Sequence, residues 1–188
     1  MNRKVYVYQN PLNSELESLF GSINENIVVD SIENNLITIT DSDYNNEEPI
    51  DLVSFQELIQ EDFGGDVTMF IEPYLEEEFP LGNWIKQILV ELPRNVYFFE
   101  DIIPYVVLKQ KDGLRKLIIE YLTMKTNIEV IHTVREFIEN NLNSSLSAKK
   151  LYMHRNTLNY RLDNFISATD INVRTFKGAN AVYMLFKY

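Results

Sequence analysis

Cysteine is absent from the sequence, and histidine occurs only as His132 and His154, far apart along the chain. These absences exclude a disulfide framework, a thiol nucleophile and a Cys/His zinc site. Long apolar runs are lacking too: nothing approaches the roughly 18 consecutive apolar residues that cross a bilayer. Arg3 and Lys4 precede only a short apolar stretch, VYVY, before polar residues return, which does not make a secretion signal. The expectation is a cytoplasmic protein with no membrane partner. Neither a phosphate loop nor paired metal-holding carboxylates can be found, so no cofactor, metal site or catalytic residue is expected.

Basic residues are scarce overall, 17 Lys and Arg against 28 Asp and Glu, for a net charge of −11. As a single number this argues against a nucleic-acid partner, because phosphates repel anionic surfaces. The distribution reverses that reading. Residues 1–127 hold nine Lys/Arg against twenty-three Asp/Glu, net −14, whereas residues 128–188 hold eight against five, net +3. From Asn140 onward the tally is seven against two. Such asymmetry points to a nucleic-acid-binding end attached to something else. The 188 residues, 45% of them hydrophobic, suffice for two small cores.

The first half alternates strand and helix signals. VYVY at 5–8 reads as a strand, and Leu12, Leu16, Leu19 and Phe20 then recur at helical spacing. Residues 27–40 carry β-branched runs on both sides of a polar turn at Glu33, Asn34 and Asn35, the pattern of a hairpin. A helix over 51–63, a strand over 67–71, a helix over 81–92 and a strand over 96–99 follow. Trp84 falls on the apolar face of the third helix and is expected in the core. The order predicts an α+β sandwich with helices on one face of a mainly antiparallel sheet. Asp101 to Lys111 gives no clear signal, and Gly113 to Lys125 reads as a joining helix.

Strand signals then stop. TVREFIENNL, 133–142, is an amphipathic helix; Ser145 can cap a short helix through Lys150; another helix starts after His154, with Leu158, Leu162, Phe165 and Ile166 as its buried stripe; and ANAVYMLFKY forms the last. This is a small all-α domain. Between Ser145 and Phe165 the spacing fits a helix-turn-helix, with small Ala148 where two helices pack closely. The second helix, about 155–168, opens with Arg155, Asn156 and Thr157 and carries Asn159, Tyr160 and Arg161, donor-rich side chains suited to phosphates and major-groove edges. His154, at the turn, can cap this helix or touch a phosphate.

HTVREFIENNLNSSLSAKKLYMHRNTLNYRLDNFISATDINV resembles the C-terminal DNA-binding domain of the purine-catabolism and sugar-diacid regulators, the PucR/CdaR type, whose helix-turn-helix is Fis-like. HRNTLNYRL, 154–162, is its most specific part. The resemblance implies that Arg155, Thr157, Tyr160 and Arg161 lie on a DNA-facing recognition helix and that Asn143 and Ser145 hold phosphate at the preceding helix start. Asn159 departs from the family's common Arg, which shifts preference toward adenine. Tyr152 stands in the turn where generic helix-turn-helix proteins often have Gly. The first half is similar to the degenerate nucleotide-cyclase domain that precedes the DNA-binding domain in these regulators. On this reading residues 1–110 form a degenerate cyclase-like, GGDEF-like α+β domain with a ferredoxin-like sandwich, 111–127 a linker helix, and 128–188 the Fis-like domain.

Gly64-Gly65-Asp66 invites comparison with the GGDEF motif of diguanylate cyclases, but Val67 and Thr68 follow instead of Glu-Phe, so it reads as a loop. The run Glu76, Glu77, Glu78 reads as a solvated surface, and His132 as a helix-surface residue. The expected function is a non-enzymatic, sequence-specific regulator of transcription that binds double-stranded DNA as a homodimer, with the acidic half open to a small-molecule or protein effector. The alternative is an interaction module that keeps the helix-turn-helix fold but binds protein.

Overall fold

The computed structural model describes residues 2–42, 51–63, 67–75 and 77–187. The chain divides into two compact units, Met1–Phe98 and Phe99–Tyr188. The first holds β1 (Arg3–Gln9), α1 (Glu15–Ile23), β2 (Ile27–Glu33), β3 (Leu36–Asp41), α2 (Leu52–Phe63), β4 (Val67–Ile71), α3 (Gly82–Leu89) and β5 (Val96–Tyr97). The strands form one sheet in the order β2-β3-β1-β4-β5, antiparallel except for the parallel β4–β5 pair. The β2–β3 hairpin closes through Asn34 and Asn35, both with positive φ (50° and 65°). Asparagine tolerates that left-handed backbone, and two such residues match the twist of the flanking strands.

Strand side chains alternate between faces. Val5 and Val7 of β1 and Val67, Met69 and Ile71 of β4 pack with Leu16 and Phe20 of α1 and Leu52 and Ile59 of α2 in one buried core. The opposite face carries Tyr6 stacked on Phe70 at 6.1 Å, and α3 covers it: Lys86 lies over the Tyr6 ring at 4.7 Å. Helices therefore cover both faces, which corrects the expectation of one. The reason lies in β4, whose five residues are all buried and need cover on both sides. Trp84 is 46% exposed, not core; Ile85, Ile88 and Leu89 form the buried stripe of α3. Glu72, just after β4, is buried and accepts the Tyr6 hydroxyl and, at 3.0 Å, the Lys4 backbone N–H. Burial holds its carboxyl above the usual range, against the pull of those bonds. Gly64-Gly65-Asp66 and Glu76 lie outside the described residues; Glu77 and Glu78 are exposed.

The second unit is helical: α4 (Phe99–Leu108), α5 (Asp112–Lys125), α6 (Ile128–Glu139), α7 (Ser144–Lys150), α8 (Arg155–Thr169) and α9 (Phe176–Lys187). Residues 98 and 99, expected in a strand, instead end the first unit and begin α4, which packs along α9. The two units thus meet before both α4 and the joining helix α5. Arg115 of α5 donates to the Leu185 carbonyl at 3.1 and 2.9 Å, closing the end of α9. Thr175 accepts the Gly178 N–H at 3.2 Å and caps the start of α9. Among the described residues no helix is long and apolar enough to cross a membrane, and no cluster of acidic or histidine side chains could hold a metal.

Candidate nucleic-acid interface

The interface candidate is built on α6, α7 and α8. Helix α6 ends at a left-handed Asn141 (φ 54°), whose N–H bonds the Ile138 carbonyl at 3.0 Å while that of Leu142 reaches back to Phe137 at 3.0 Å. This double bond pattern closes a helix end and turns the chain sharply. Asn143 then caps α7: its Oδ1 accepts the Leu146 N–H at 3.0 Å. The cap is therefore Asn143 and not Ser145, since an N-cap side chain must reach the N–H two or three residues on. With its oxygen so engaged, Asn143 keeps only its amide N–H groups for an anion. Ser145 is exposed.

Helix α7 ends in the same way. Tyr152 is left-handed (φ 52°); its N–H reaches the Lys149 carbonyl at 3.2 Å, and that of Met153 reaches Ala148 at 3.0 Å. The expected short helix, tight turn and second helix are thus present, with a 98% exposed tyrosine at the position glycine would fill without strain. Ala148 is buried, and Leu158, Leu162 and Phe165 of α8 are fully buried beneath α6 and α7. Truncating one of these large side chains would cost about 2–5 kcal/mol.

His154 caps α8: Nδ1 accepts the Asn156 N–H at 3.2 Å. Capping and a phosphate contact are compatible, because an accepting Nδ1 leaves the exposed ring an Nε2–H donor. Arg155, Asn156 and Thr157 are exposed at the start of the helix, Tyr160 is exposed one turn on, and Asn159 is half-buried. Lys149, Lys150 and Arg155 are exposed and form no ion pair among the described residues. Sequence reasoning missed Lys149 and Lys150, a basic pair in the last turn of α7; Lys150 lines a pocket with His132, Arg135, Glu136 and Glu139 of α6. Further along, Asp163 would repel phosphate, but Arg174 pairs with it at 2.5 Å.

Arg161 is placed differently from the rest. Its guanidinium pairs with Glu129 at 2.7 Å and donates to the Thr133 hydroxyl at 3.1 Å, both on α6. The structure therefore groups His154, Arg155, Asn156, Thr157, Asn159 and Tyr160 at one end of α8, places Asn143 and Ser145 at the start of α7, and turns Arg161 toward α6.

A short helix closed by a strained turn onto a capped second helix with polar, cationic side chains at its start defines a helix-turn-helix domain. Residues 130–187 match the PucR C-terminal helix-turn-helix domain. The chain is also 41% identical over 90 residues to the uncharacterized protein YxkF of Bacillus subtilis (strain 168), a match covering 46% of this chain and 30% of that protein. Among solved structures it is similar to the regulator of polyketide synthase expression from Bifidobacterium adolescentis, with 14% identity and a TM-score of 0.49 over 98% of this chain and 78% of that one.

Proposed function

We propose that this chain is a transcription regulator whose α7–turn–α8 unit binds double-stranded DNA, with the start of α8 in the major groove. The observation that carries the reading is the exposed Arg155 among the polar side chains of Asn156, Thr157, Asn159 and Tyr160 at a capped helix start, preceded by exposed Lys149 and Lys150 in the last turn of α7, within a PucR-type domain. The cations suit phosphates, and the amides suit base edges. Ser145 and the amide of Asn143 would add phosphate contacts. One such unit makes few contacts, so a homodimer on two half-sites about 34 Å apart, or a multiple of that, is part of the proposal.

For the first unit we propose a degenerate cyclase-like domain without cyclase chemistry, supported by its β-α-β-β-α-β order and the ferredoxin-like strand sequence β2-β3-β1-β4. Its acidic surface is the place for an effector.

The test is salt-titrated binding to a duplex selected from a random pool and to a scrambled one. Arg155→Ala should weaken both and lower the slope of log K against log salt by roughly 0.9. Asn159→Ala should cost about 1–3 kcal/mol on the selected duplex alone. A folded Arg155→Ala protein that binds both as the parent does would refute this reading and favour the protein-interaction module.

A further inference from the structure

The two arginines of α8 have different surroundings. Arg155 is exposed at the first turn and forms no ion pair among the described residues. Arg161 is 27% exposed, and its guanidinium is shared between two acceptors on the first turns of α6. Nη2 donates to Glu129 Oε2 at 2.7 Å and Nη1 to Thr133 Oγ1 at 3.1 Å. The threonine is buried, and its hydroxyl donates to the Glu129 carbonyl at 2.8 Å, so the oxygen offered to Arg161 is itself held in place.

Helical geometry agrees. At about 100° per residue, Arg161 lies roughly 60° from the centre of the Leu158/Leu162/Phe165 stripe, while Asn156 and Tyr160 lie nearly opposite it. A planar guanidinium that donates in two directions fixes both distance and rotation between the elements it joins, which a single flexible cation does not. Swinging out to a phosphate would break both bonds and leave Glu129 without this partner.

We propose that Arg161 is a positioning residue: through Glu129 and Thr133 it sets the rotation of α8 on α6 so that Asn156, Asn159 and Tyr160 meet the base pairs, and it holds no phosphate itself. The inference rests on the DNA-binding reading above. Glu129 is 71% exposed, so the pair adds little to global stability, and variants that lack it should remain folded.

The full chain is compared with Arg161→Ala, Arg161→Lys, Glu129→Ala, the Arg161→Ala/Glu129→Ala double variant and, as reference, Arg155→Ala. Circular dichroism melting checks the fold of each. Binding is titrated with salt on the selected and the scrambled duplex. Arg161→Ala and Glu129→Ala should each lower affinity for the selected duplex on the order of tenfold. The scrambled duplex and both salt slopes should change little. The double variant should be no worse than either single one, because both remove the same link. Arg161→Lys keeps the charge but not the two-way donation, and should not rescue. Arg155→Ala should lower the slope on both duplexes. If Arg161→Ala lowers the slope by roughly 0.9 on both while Glu129→Ala tightens binding, Arg161 is a phosphate ligand and the proposal is wrong. Selected-site affinity unchanged in both single variants overturns it as well. A parent that binds neither duplex removes the DNA reading itself and the positioning role with it. An Arg155→Ala effect beside an unaffected Arg161→Ala removes only the latter.

Discussion

Replacing Tyr152 with glycine should stabilise the helical unit. Tyr152 closes α7 with φ 52°, a conformation that costs a residue with a Cβ about 1–2 kcal/mol. Glycine adopts it freely but loses about 0.5–1 kcal/mol through the greater freedom of its unfolded chain. The side chain is 98% exposed, so its removal opens no cavity. The net gain is therefore between about 0 and 1.5 kcal/mol, centred near 0.75 kcal/mol, which for a domain of this size raises Tm by about 3–6 °C. Tyr152→Ala is the control: it removes the ring but keeps the Cβ, and should gain nothing. Thermal circular dichroism at the helical signal measures all three proteins. A Tyr152→Gly protein that melts at or below the parent, or an alanine variant that gains as much, would refute the assignment of strain to this turn.

Gly178→Ala should destabilise the same unit by about 1–3 kcal/mol in urea, because its Cβ would lie 2.3 Å from the Asn172 carbonyl oxygen and 2.6 Å from its carbon, both backbone atoms; a parent-like midpoint would show that the 170–175 loop yields freely. In the first unit, Glu72 has its pKa raised from the ordinary 4.5, chiefly by burial. The folded state holds that proton more tightly, so the associated stability is present below about pH 4.5 and fades as pH rises through the raised value. The parent should therefore lose stability relative to Glu72→Gln between pH 4.5 and neutrality, and parallel urea profiles would contradict this.

Local signals carried most of the fold. The β2–β3 hairpin, α1, α2 and β4 were legible because period-two and helical apolar patterns sat between clear turn residues, and β4 keeps the bounds read from VTMFI. The failures share a cause, which is that tertiary partners are invisible in one segment. VYFF reads as a strand, yet Phe99 packs edge-on against Tyr121 of α5 and starts α4. Pro104 hid that helix, since an internal proline normally ends one. At the interface, the HRNTLNYRL run placed α8 and its cap correctly in sequence. The competing cap at Ser145 arose because serine and asparagine are equally good N-caps and only the turn geometry separates them. Arg161 read as a groove residue because charge type says nothing about which helix the side chain leans on. A wheel drawn at 100° per residue would have placed it beside the buried stripe.

The division at Phe98/Phe99 sharpens the charge argument and yields a last prediction. Residues 1–98 carry four Lys/Arg against nineteen Asp/Glu, net −15, and residues 99–188 carry thirteen against nine, net +4. Any cationic face on the second unit therefore works against the field of the first. Solvent-exposed charges act over about 30 Å at 0.01 M salt but only about 8 Å at 0.15 M. A fragment of residues 99–188 retains α4 against α9 and Arg115 on Leu185, which a cut at 127 would remove, and should fold alone as helices. It should bind a scrambled duplex more tightly than the full chain at low salt, and the gap should close as salt approaches 0.15 M, because the repulsion is screened over a longer path than the direct phosphate contacts. The full chain should for the same reason show the shallower salt slope on that duplex. A gap that persists undiminished at 0.15 M would mean that the first unit limits binding by contact rather than by its field.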